Sequence, residues 1–202
     1  MSEEMARLAT TLYDHGCVKL GMFALKSGLK SPIYIDLRLL VSHPRLLKQV
    51  AATLAGAARG LTFDRIAAIP YAALPIGVAM ALEMDRPMIY PRREIKGHGT
   101  RRAVEGAYEA GETALLVDDL ITRGHSKLEA VGALEAVGLL VHDVLVLIDR
   151  EQGGAQDLAE RGYQLHAVLE LTAMLAALQD TARITPKEHA DVLAYLEQTR
   201  AN

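Results

Sequence analysis

The stretch Ala114-Leu-Leu-Val-Asp-Asp-Leu-Ile-Thr-Arg-Gly-His-Ser126 decides the fold of this chain. The apolar run before Asp118 predicts a short buried strand, and a helical pattern begins at Ser126. In α/β proteins, ligands bind beyond the carboxyl ends of parallel strands. A loop that leads into a helix N-terminus there presents free N–H groups and the positive end of the helix dipole to a phosphate.

The two adjacent carboxylates of this stretch, Asp118 and Asp119, suit a different part of a ligand. They would repel a phosphate, but they can accept hydrogen bonds from hydroxyl groups. Carboxylates that accept hydrogen bonds from hydroxyl groups, placed beside a phosphate-binding loop, indicate that the ligand is a sugar phosphate. An isolated Asp-Asp pair is also typical of an ordinary turn at a strand end, since aspartate favours turns.

The rest of the chain alternates strand and helix patterns, which predicts an α/β fold with a central parallel β-sheet flanked by helices. Strands are predicted over Arg65–Pro70, Pro87–Tyr90, Thr113–Val117, Val144–Ile148 and Leu165–Leu171. Helices are predicted over residues 2–15, Pro44–Ala58, Leu74–Met84 and Ser126–Val137, with two more after residue 171. Residues Val18 to Arg38 predict a small hairpin. We expect a single domain over residues 1–202.

The composition excludes several classes of protein. A net charge of -3 argues against general nucleic-acid binding, and the single cysteine, Cys17, excludes a disulfide framework. No apolar run reaches the roughly 18 residues of a membrane span. The acidic start Met1-Ser-Glu-Glu-Met5 does not resemble a signal peptide, so we expect a cytoplasmic protein.

Four separated segments together resemble type I phosphoribosyltransferases and, within that family, the orotate phosphoribosyltransferases. The segments are Leu25–Arg38, Arg92–Thr100, Asp118–Ser126 and Asp149–Gly154, and they occur in the order that the family has. The resemblance implies the type I phosphoribosyltransferase (Rossmann-like) fold, with residues from about 1 to 38 contributing a small N-terminal hood. It also implies transfer of the 5-phosphoribosyl group from phosphoribosyl pyrophosphate (PRPP) to orotate, which gives orotidine 5′-monophosphate and diphosphate in pyrimidine nucleotide synthesis.

The same resemblance assigns the PRPP site. Asp118 and Asp119 would bind the ribose hydroxyls, and the loop from Thr122 to Ser126 would surround the 5′-phosphate, with Gly124 permitting close approach of the backbone. The residues that the resemblance places at PRPP in this motif are Asp118, Asp119, Leu120, Ile121, Thr122, Arg123, Gly124, His125 and Ser126. Arg123 stands where the family has a small residue, and it would face the phosphate, solvent or another subunit. Lys127 is compatible with an ordinary residue of a first helical turn.

The basic segment from Arg92 to Arg102 is typical either of a solvated charged loop or of a loop that closes over an anion. By resemblance, Arg92, Arg93, Lys96 and His98 bind PRPP in the active site of the neighbouring subunit, which implies a homodimer. The implied catalytic residues are Arg93, Lys96, His98 and Asp119. Arg93 replaces a lysine that is usual in the family, so it keeps the charge but cannot donate a proton near neutral pH.

The remaining substrate contacts are also implied by the resemblance. Lys26, Thr122 and Arg150 would bind orotate, although Lys26 also suits a hairpin surface and Arg150 an ion pair at a strand end. Pro70 to Pro75 would form the pyrophosphate loop with Tyr71 and Ala72 at PRPP, and a cis peptide is expected at Tyr71–Ala72. Mg²⁺ is the expected cofactor, bound mainly through PRPP near Asp118 and Asp119.

Two other functions remain compatible with the sequence. Some phosphoribosyltransferase-like proteins use the PRPP pocket as a sensor and bind nucleic acid, for which the basic segment would supply phosphate contacts. A phosphoribosyltransferase for another base, such as a purine, is the second alternative. The acidic net charge argues against the first, and the Arg150 and Lys26 segments argue against the second.

Overall fold

The computed structural model describes residues 1–24, 30–92 and 103–200. The helices are α1 (Glu3–Asp14), α2 (Pro44–Ala58), α3 (Ala73–Met84), α4 (His125–Glu135), α5 (Gly154–Ala159), α6 (Leu171–Asp180) and α7 (Pro186–Arg200). The strands are β1 (Val18–Ala24), β2 (Lys30–Ile35), β3 (Arg65–Ala68), β4 (Met88–Pro91), β5 (Val104–Glu105), β6 (Thr113–Ile121), β7 (Leu140–Asp149) and β8 (Gln164–Glu170). A short 3-10 helix covers Leu37–Ser42.

The main sheet confirms the predicted parallel arrangement. Its strand order is β5-β4-β3-β6-β7-β8, and only β5, at one edge, runs antiparallel to its neighbour. The central strands β6 and β7 are mostly buried, as expected for a sheet that is covered by helices on both faces.

Alternation along β6 sends its side chains into two separate cores. Leu115 and Val117 belong to the larger core, which also takes in residues of α1, α2, α3, α6 and α7. Ala114 and Leu116 belong to the smaller core, with residues of α4 and α5. Successive side chains of a strand point to opposite faces, so one apolar run of four residues serves both cores.

The N-terminal residues divide between the main core and a separate small sheet. α1 packs into the larger core through Leu8 and Leu12 and lies against α6. The predicted hairpin is confirmed, since β1 and β2 form an antiparallel two-stranded sheet, against which α7 packs. The hairpin is thus separate from the main sheet, and a hood formed by about residues 1–38 stays a prediction.

One boundary differs in a way that matters for the site. The strand predicted to end at Val117 continues to Ile121, because β7 runs beside it and pairs Leu120 with Ile148 and Ile121 with Asp149. Asp118 and Asp119 are thus strand residues and not part of a turn. None of the helices in the described part of the chain could cross a membrane.

Candidate active site at the carboxyl end of the sheet

A cleft of about 290 Å³ lies at the carboxyl ends of β3 and β6. It brings together residues that the sequence analysis assigned to PRPP from two distant segments. Its lining consists of Ile69, Pro70, Tyr71, Ala72, Asp118, Asp119, Leu120, Thr122, Arg123, Ser126 and Lys127. This is the edge of a parallel sheet at which α/β proteins bind ligands.

Asp118 is held by groups of its own chain. Its Oδ2 lies 2.6 Å from the Lys127 ammonium, and its Oδ1 accepts the backbone N–H of Asp119 at 2.9 Å. The same ammonium donates to the carbonyl oxygen of Leu120 at 2.6 Å. Only 8% of the Asp118 side chain and 5% of the Lys127 side chain are exposed. The sequence is compatible with Lys127 as an ordinary helix residue. In the structure, Lys127 forms a buried ion pair with Asp118.

Asp119 is in a different electrostatic state from an ordinary carboxylate. Burial raises its pKa to about 7, and the neighbouring charge of Asp118 adds to that rise. The backbone N–H of Leu120 donates to its Oδ1 at 2.8 Å and acts in the opposite direction. An ionised Asp119 beside the cleft is well suited to accept ligand hydroxyls.

The N-terminus of α4 opens directly behind these carboxylates. Gly124 is its N-cap, and no side chain of the described residues caps it. The first N–H groups of a helix have no partner within the helix and attract anions. His125 and Ser126, both exposed, begin this helix, so the position predicted for a phosphate is structurally available.

Gly124 packs closely against α5. Its N–H already donates to Asp157 Oδ2 at 3.0 Å, so this group is not open to a phosphate. Its backbone is right-handed helical (φ -72°, ψ -12°), and a Cβ there would lie 2.8 Å from Cβ of Asp157. The missing side chain therefore makes room for α5, and close approach of the backbone to PRPP stays a prediction.

Arg123 lies over the turn before α5. A Cβ on Gly153 would come within 2.7 Å of its Nη1, and Gly153 has a φ of +98°. Arg123 also lines a neighbouring cleft with His125 and Asp157. The side chain thus links the phosphate loop to the turn after β7, and its contact with PRPP stays a prediction.

Arg150 follows β7 and lies close to the same loop. Its backbone N–H donates to the carbonyl oxygen of Ile121 at 2.9 Å. Within the described residues, its buried Nε and Nη2 atoms have no hydrogen-bond partner. Burial lowers its pKa, and the nearby Tyr195 of α7 opposes that change. Buried guanidinium donors without partners are costly and indicate a site for an acceptor.

The pyrophosphate loop has its unusual peptide one position earlier than expected. The cis bond joins Pro70 to Tyr71, so the expectation of a cis bond at Tyr71–Ala72 was wrong. Tyr71 is largely exposed, and Ala72 is the N-cap of α3. Both residues line the cleft, as the sequence analysis required.

The basic segment is only partly described. Arg92 forms an ion pair with Glu105 of β5 at 3.2 Å and lines a second cleft, of about 320 Å³, together with Pro70 and Ser126. The pairing with Glu105 was not predicted, because a two-residue edge strand carries too little sequence signal. The predicted site residues Lys26, Arg93, Lys96 and His98 lie outside the described residues.

Comparison with known proteins adds independent information. The family model of the phosphoribosyl transferase domain matches residues 39–161, more than half of the chain. The chain is 37% identical to the orotate phosphoribosyltransferase of Caenorhabditis elegans over 92% of its own length and 82% of that relative. It is 42% identical to the bifunctional enzyme PyrF/PyrE of a Nostoc species, over 90% of its own length and 38% of the relative.

Two solved structures resemble the whole arrangement. The UMP synthase of Leishmania donovani superposes with a TM-score of 0.89 at 44% identity, covering 96% of this chain and 42% of that one. The orotate phosphoribosyltransferase of Aeropyrum pernix superposes with a TM-score of 0.76 at 32% identity, covering 88% of this chain and 99% of that one. The chain thus spans about two fifths of the Nostoc enzyme and the Leishmania enzyme.

Proposed function

The chain belongs to the phosphoribosyl transferase family and, within it, to the orotate phosphoribosyltransferases, and we propose that it transfers the 5-phosphoribosyl group of PRPP to N1 of orotate. The products are orotidine 5′-monophosphate and diphosphate, as in pyrimidine nucleotide synthesis. One observation carries the proposal: the buried Asp118 and the half-buried Asp119 at the end of β6 lie just before the N-terminus of α4, which no side chain of the described residues caps. These groups match the hydroxyls and the 5′-phosphate of one ligand.

The ribose phosphate would bind across this junction. Asp119, which lines the cleft, would accept the ribose hydroxyls, with Asp118 fixed behind it by Lys127. The 5′-phosphate would lie at the first N–H groups of α4, near the hydroxyls of Thr122 and Ser126. The backbone at Leu120 and Ile121 and the side chains of Arg123 and His125 complete the proposed PRPP contacts.

Charge on the departing diphosphate would be stabilised by preorganised groups, which is usually the largest contribution to catalysis. Tyr71 and Ala72 offer backbone groups at one side of the cleft. Arg92, Arg93 and Lys96 would supply positive charge beside the diphosphate. His98 would assist proton transfer. Closure of the basic segment over the site would exclude water from the glycosyl centre.

Mg²⁺ fits the chemistry of this site as a cation carried by the substrate. In the described part of the chain, no three His, Cys, Asp or Glu side chains form a group that could hold a metal. Mg²⁺ usually binds through one or two carboxylates together with substrate phosphates and waters. Asp118 and Asp119 offer such carboxylates, and the bound cation would offset negative charge on the diphosphate.

Orotate would bind where Arg150 points its free donors. A guanidinium fork pairs with a carboxylate through two parallel hydrogen bonds, and the buried Nε and Nη2 atoms form one such pair of donors. Thr122 and Lys26 would contact the same substrate. A base without a carboxylate would leave the buried guanidinium without an acceptor, which favours orotate over a purine.

A second copy of the chain would complete the site. Val78 and Leu82 are spaced four residues apart on α3, and they are 51% and 81% exposed. Tyr71, just before α3, is exposed and lines the cleft, so a partner on this face would lie beside the active site. An exposed apolar face of this kind marks an interaction surface. The proposed homodimer would place the Arg92–Arg102 segment in the neighbouring site. The cytoplasmic location also stays a prediction.

The decisive experiment follows the fall in orotate absorbance with purified protein, PRPP and Mg²⁺, with adenine, hypoxanthine and uracil in parallel. We expect turnover of orotate alone, and it should depend on both PRPP and Mg²⁺. Turnover of another base would identify a different phosphoribosyltransferase. PRPP binding without turnover of any base would favour the sensor alternative, which titration with RNA and DNA then tests.

Mixing two inactive variants tests the exchange of the basic segment between subunits. Lys96→Ala and Asp119→Asn should each lower turnover severely while the fold stays intact. If the segment serves the neighbouring site, a hybrid dimer keeps one complete site, and an equimolar mixture recovers roughly a quarter of the wild-type activity. Recovery of no activity would place Lys96 in its own subunit's site, and wild-type turnover of Lys96→Ala alone would remove the segment from the mechanism.

A further inference from the structure

Lys127 is a buried charge that makes no direct contact with substrate in the proposed mechanism. It occupies the first turn of α4, where the helix dipole disfavours a cation, and almost none of its side chain is exposed. Removing an ammonium from water is costly unless the group is paired and hydrogen-bonded. Its position therefore requires compensation from the groups around it.

Three oxygen atoms surround the ammonium. Asp118 Oδ2 and the carbonyl oxygen of Leu120 each lie 2.6 Å from Nζ, and Ser126 Oγ lies 3.4 Å away. Two of these partners belong to the end of β6, and the third belongs to α4. Lys127 thus joins the two ends of the phosphate loop, with residues 122–124 between them.

We propose that Lys127 is a positioning residue for PRPP: it fixes the phosphate loop across its two ends and neutralises Asp118, which leaves Asp119 as the carboxylate that receives the ribose. This inference rests on the proposed function of the same cleft. The neutralisation has a direct benefit, because PRPP is densely anionic and two uncompensated carboxylates would repel it. Lys127 acts through Asp118 and the loop, since its ammonium already has three oxygen partners within the protein.

The test is a double-mutant cycle between Lys127→Met and Asp118→Asn, read as the dissociation constant for PRPP and as KM for PRPP and for orotate. Lys127→Met should weaken PRPP binding by about tenfold or more, because small displacements of binding groups are costly, while KM for orotate changes little. If Lys127 acts through Asp118, the double variant should bind PRPP no more weakly than Asp118→Asn alone.

The double variant also keeps the proposal testable if Lys127→Met alone does not fold. Lys127→Met leaves Asp118 buried without a partner and lowers Tm, whereas loss of both charges is often nearly neutral. Lys187→Met is the matched control, because Lys187 also lies in a first helical turn but is exposed, and it should leave PRPP binding unchanged.

Two outcomes would overturn the proposal. Unchanged PRPP affinity in the folded Lys127→Met or double variant would reduce Lys127 to a structural role. Losses that multiply across the cycle would mean that Lys127 acts independently of Asp118, which would remove the neutralisation of Asp118 from the proposal. Wild-type turnover of orotate, measured in parallel, separates both outcomes from a failure of the proposed function.

Discussion

The two ends of the same sheet treat their carboxylates in opposite ways. At the amino end of β3 and β6, the Arg65 guanidinium pairs with both oxygens of Glu112, and Asp64 Oδ2 accepts the backbone N–H of Thr113 at 2.8 Å. At the carboxyl end, Asp118 is buried and the adjacent Asp119 is half-buried, and among the described residues Lys127 compensates them.

The pKa directions express this difference. Hydrogen bonding to Arg65 lowers the pKa of Glu112, whereas burial raises that of Asp119 to about 7. At the amino end, the ionised form of Glu112 is therefore favoured, and its pair with Arg65 stabilises the folded protein. At the carboxyl end of the sheet, the ionised form of Asp119 is disfavoured by burial. A carboxyl group with a raised pKa in a cleft is typical of a functional site.

The largest expected effect is that of Asp119→Asn on PRPP binding. An amide cannot replace a carboxylate that accepts two hydroxyls, and a hydrogen bond to a charged group contributes enough that affinity should fall about tenfold or more. Calorimetry with PRPP and Mg²⁺ measures it. Glu112→Gln, at the other end of the sheet, is the control and should bind normally. Unaltered affinity in Asp119→Asn would count against its assignment to the ribose.

Gly154→Ala should disturb the carboxyl end through packing. The new Cβ would lie 2.5 Å from Cγ1 of Ile121 and 3.1 Å from the carbonyl oxygen of Thr122. Overpacking of this kind costs about 1–3 kcal/mol, and it should also weaken PRPP binding by moving the loop. Urea unfolding and PRPP titration measure the two effects.

Gly132→Ala is the matched control for Gly154→Ala. A Cβ at Gly132 has nothing within 4 Å, and replacing a helical glycine by alanine should add about 1 kcal/mol of stability. Equal behaviour of the two alanine variants would show that the turn before α5 does not constrain the phosphate loop.

Glu112→Gln should lower Tm by a few degrees without changing catalysis. The pair with Arg65 joins β3 to the segment before β6, far from the cleft, and the variant removes its charge. Thermal unfolding and steady-state kinetics of the same preparation measure both properties. A raised KM for PRPP would contradict the separation of roles between the two ends.

The pH dependence of stability should also distinguish the two ends of the sheet. Because the pKa of Glu112 is lowered, its contribution is present above its unfolded value of 4.5 and is lost as the pH falls below it. Because the pKa of Asp119 is raised from 3.8 to about 7, folding favours its protonated form, and stability declines as the pH rises through that interval.

Denaturant midpoints measured from pH 3 to pH 8 would separate the two groups. Asp119→Asn should flatten the decline between about pH 4 and 7, and Glu112→Gln should reduce the loss in acid. An unchanged slope in Asp119→Asn would mean that Asp119 ionises normally in the folded protein.

Local pattern was sufficient for most of the fold and for part of the site. Helix α2 has the bounds that were predicted, from Pro44 to Ala58. The hydrophobic period of a helix and the residues that begin and end it depend on neighbouring positions only, so they can be recognised in a single sequence. By contrast, the continuation of β6 to Ile121 depends on pairing with β7, which no local signal records.

The sequence by itself determined the parallel α/β fold, the carboxylate pair at a strand end and the helix that follows this pair, because each is recorded in the pattern of residues close together in the chain. Only the tertiary structure decided the charge state and the partners of these groups. Lys127 pairs with Asp118, Gly124 yields its N–H to Asp157, and Arg150 keeps buried donors without partners in the described residues. Burial and contacts between distant segments set these properties, and both arise only when the chain is folded.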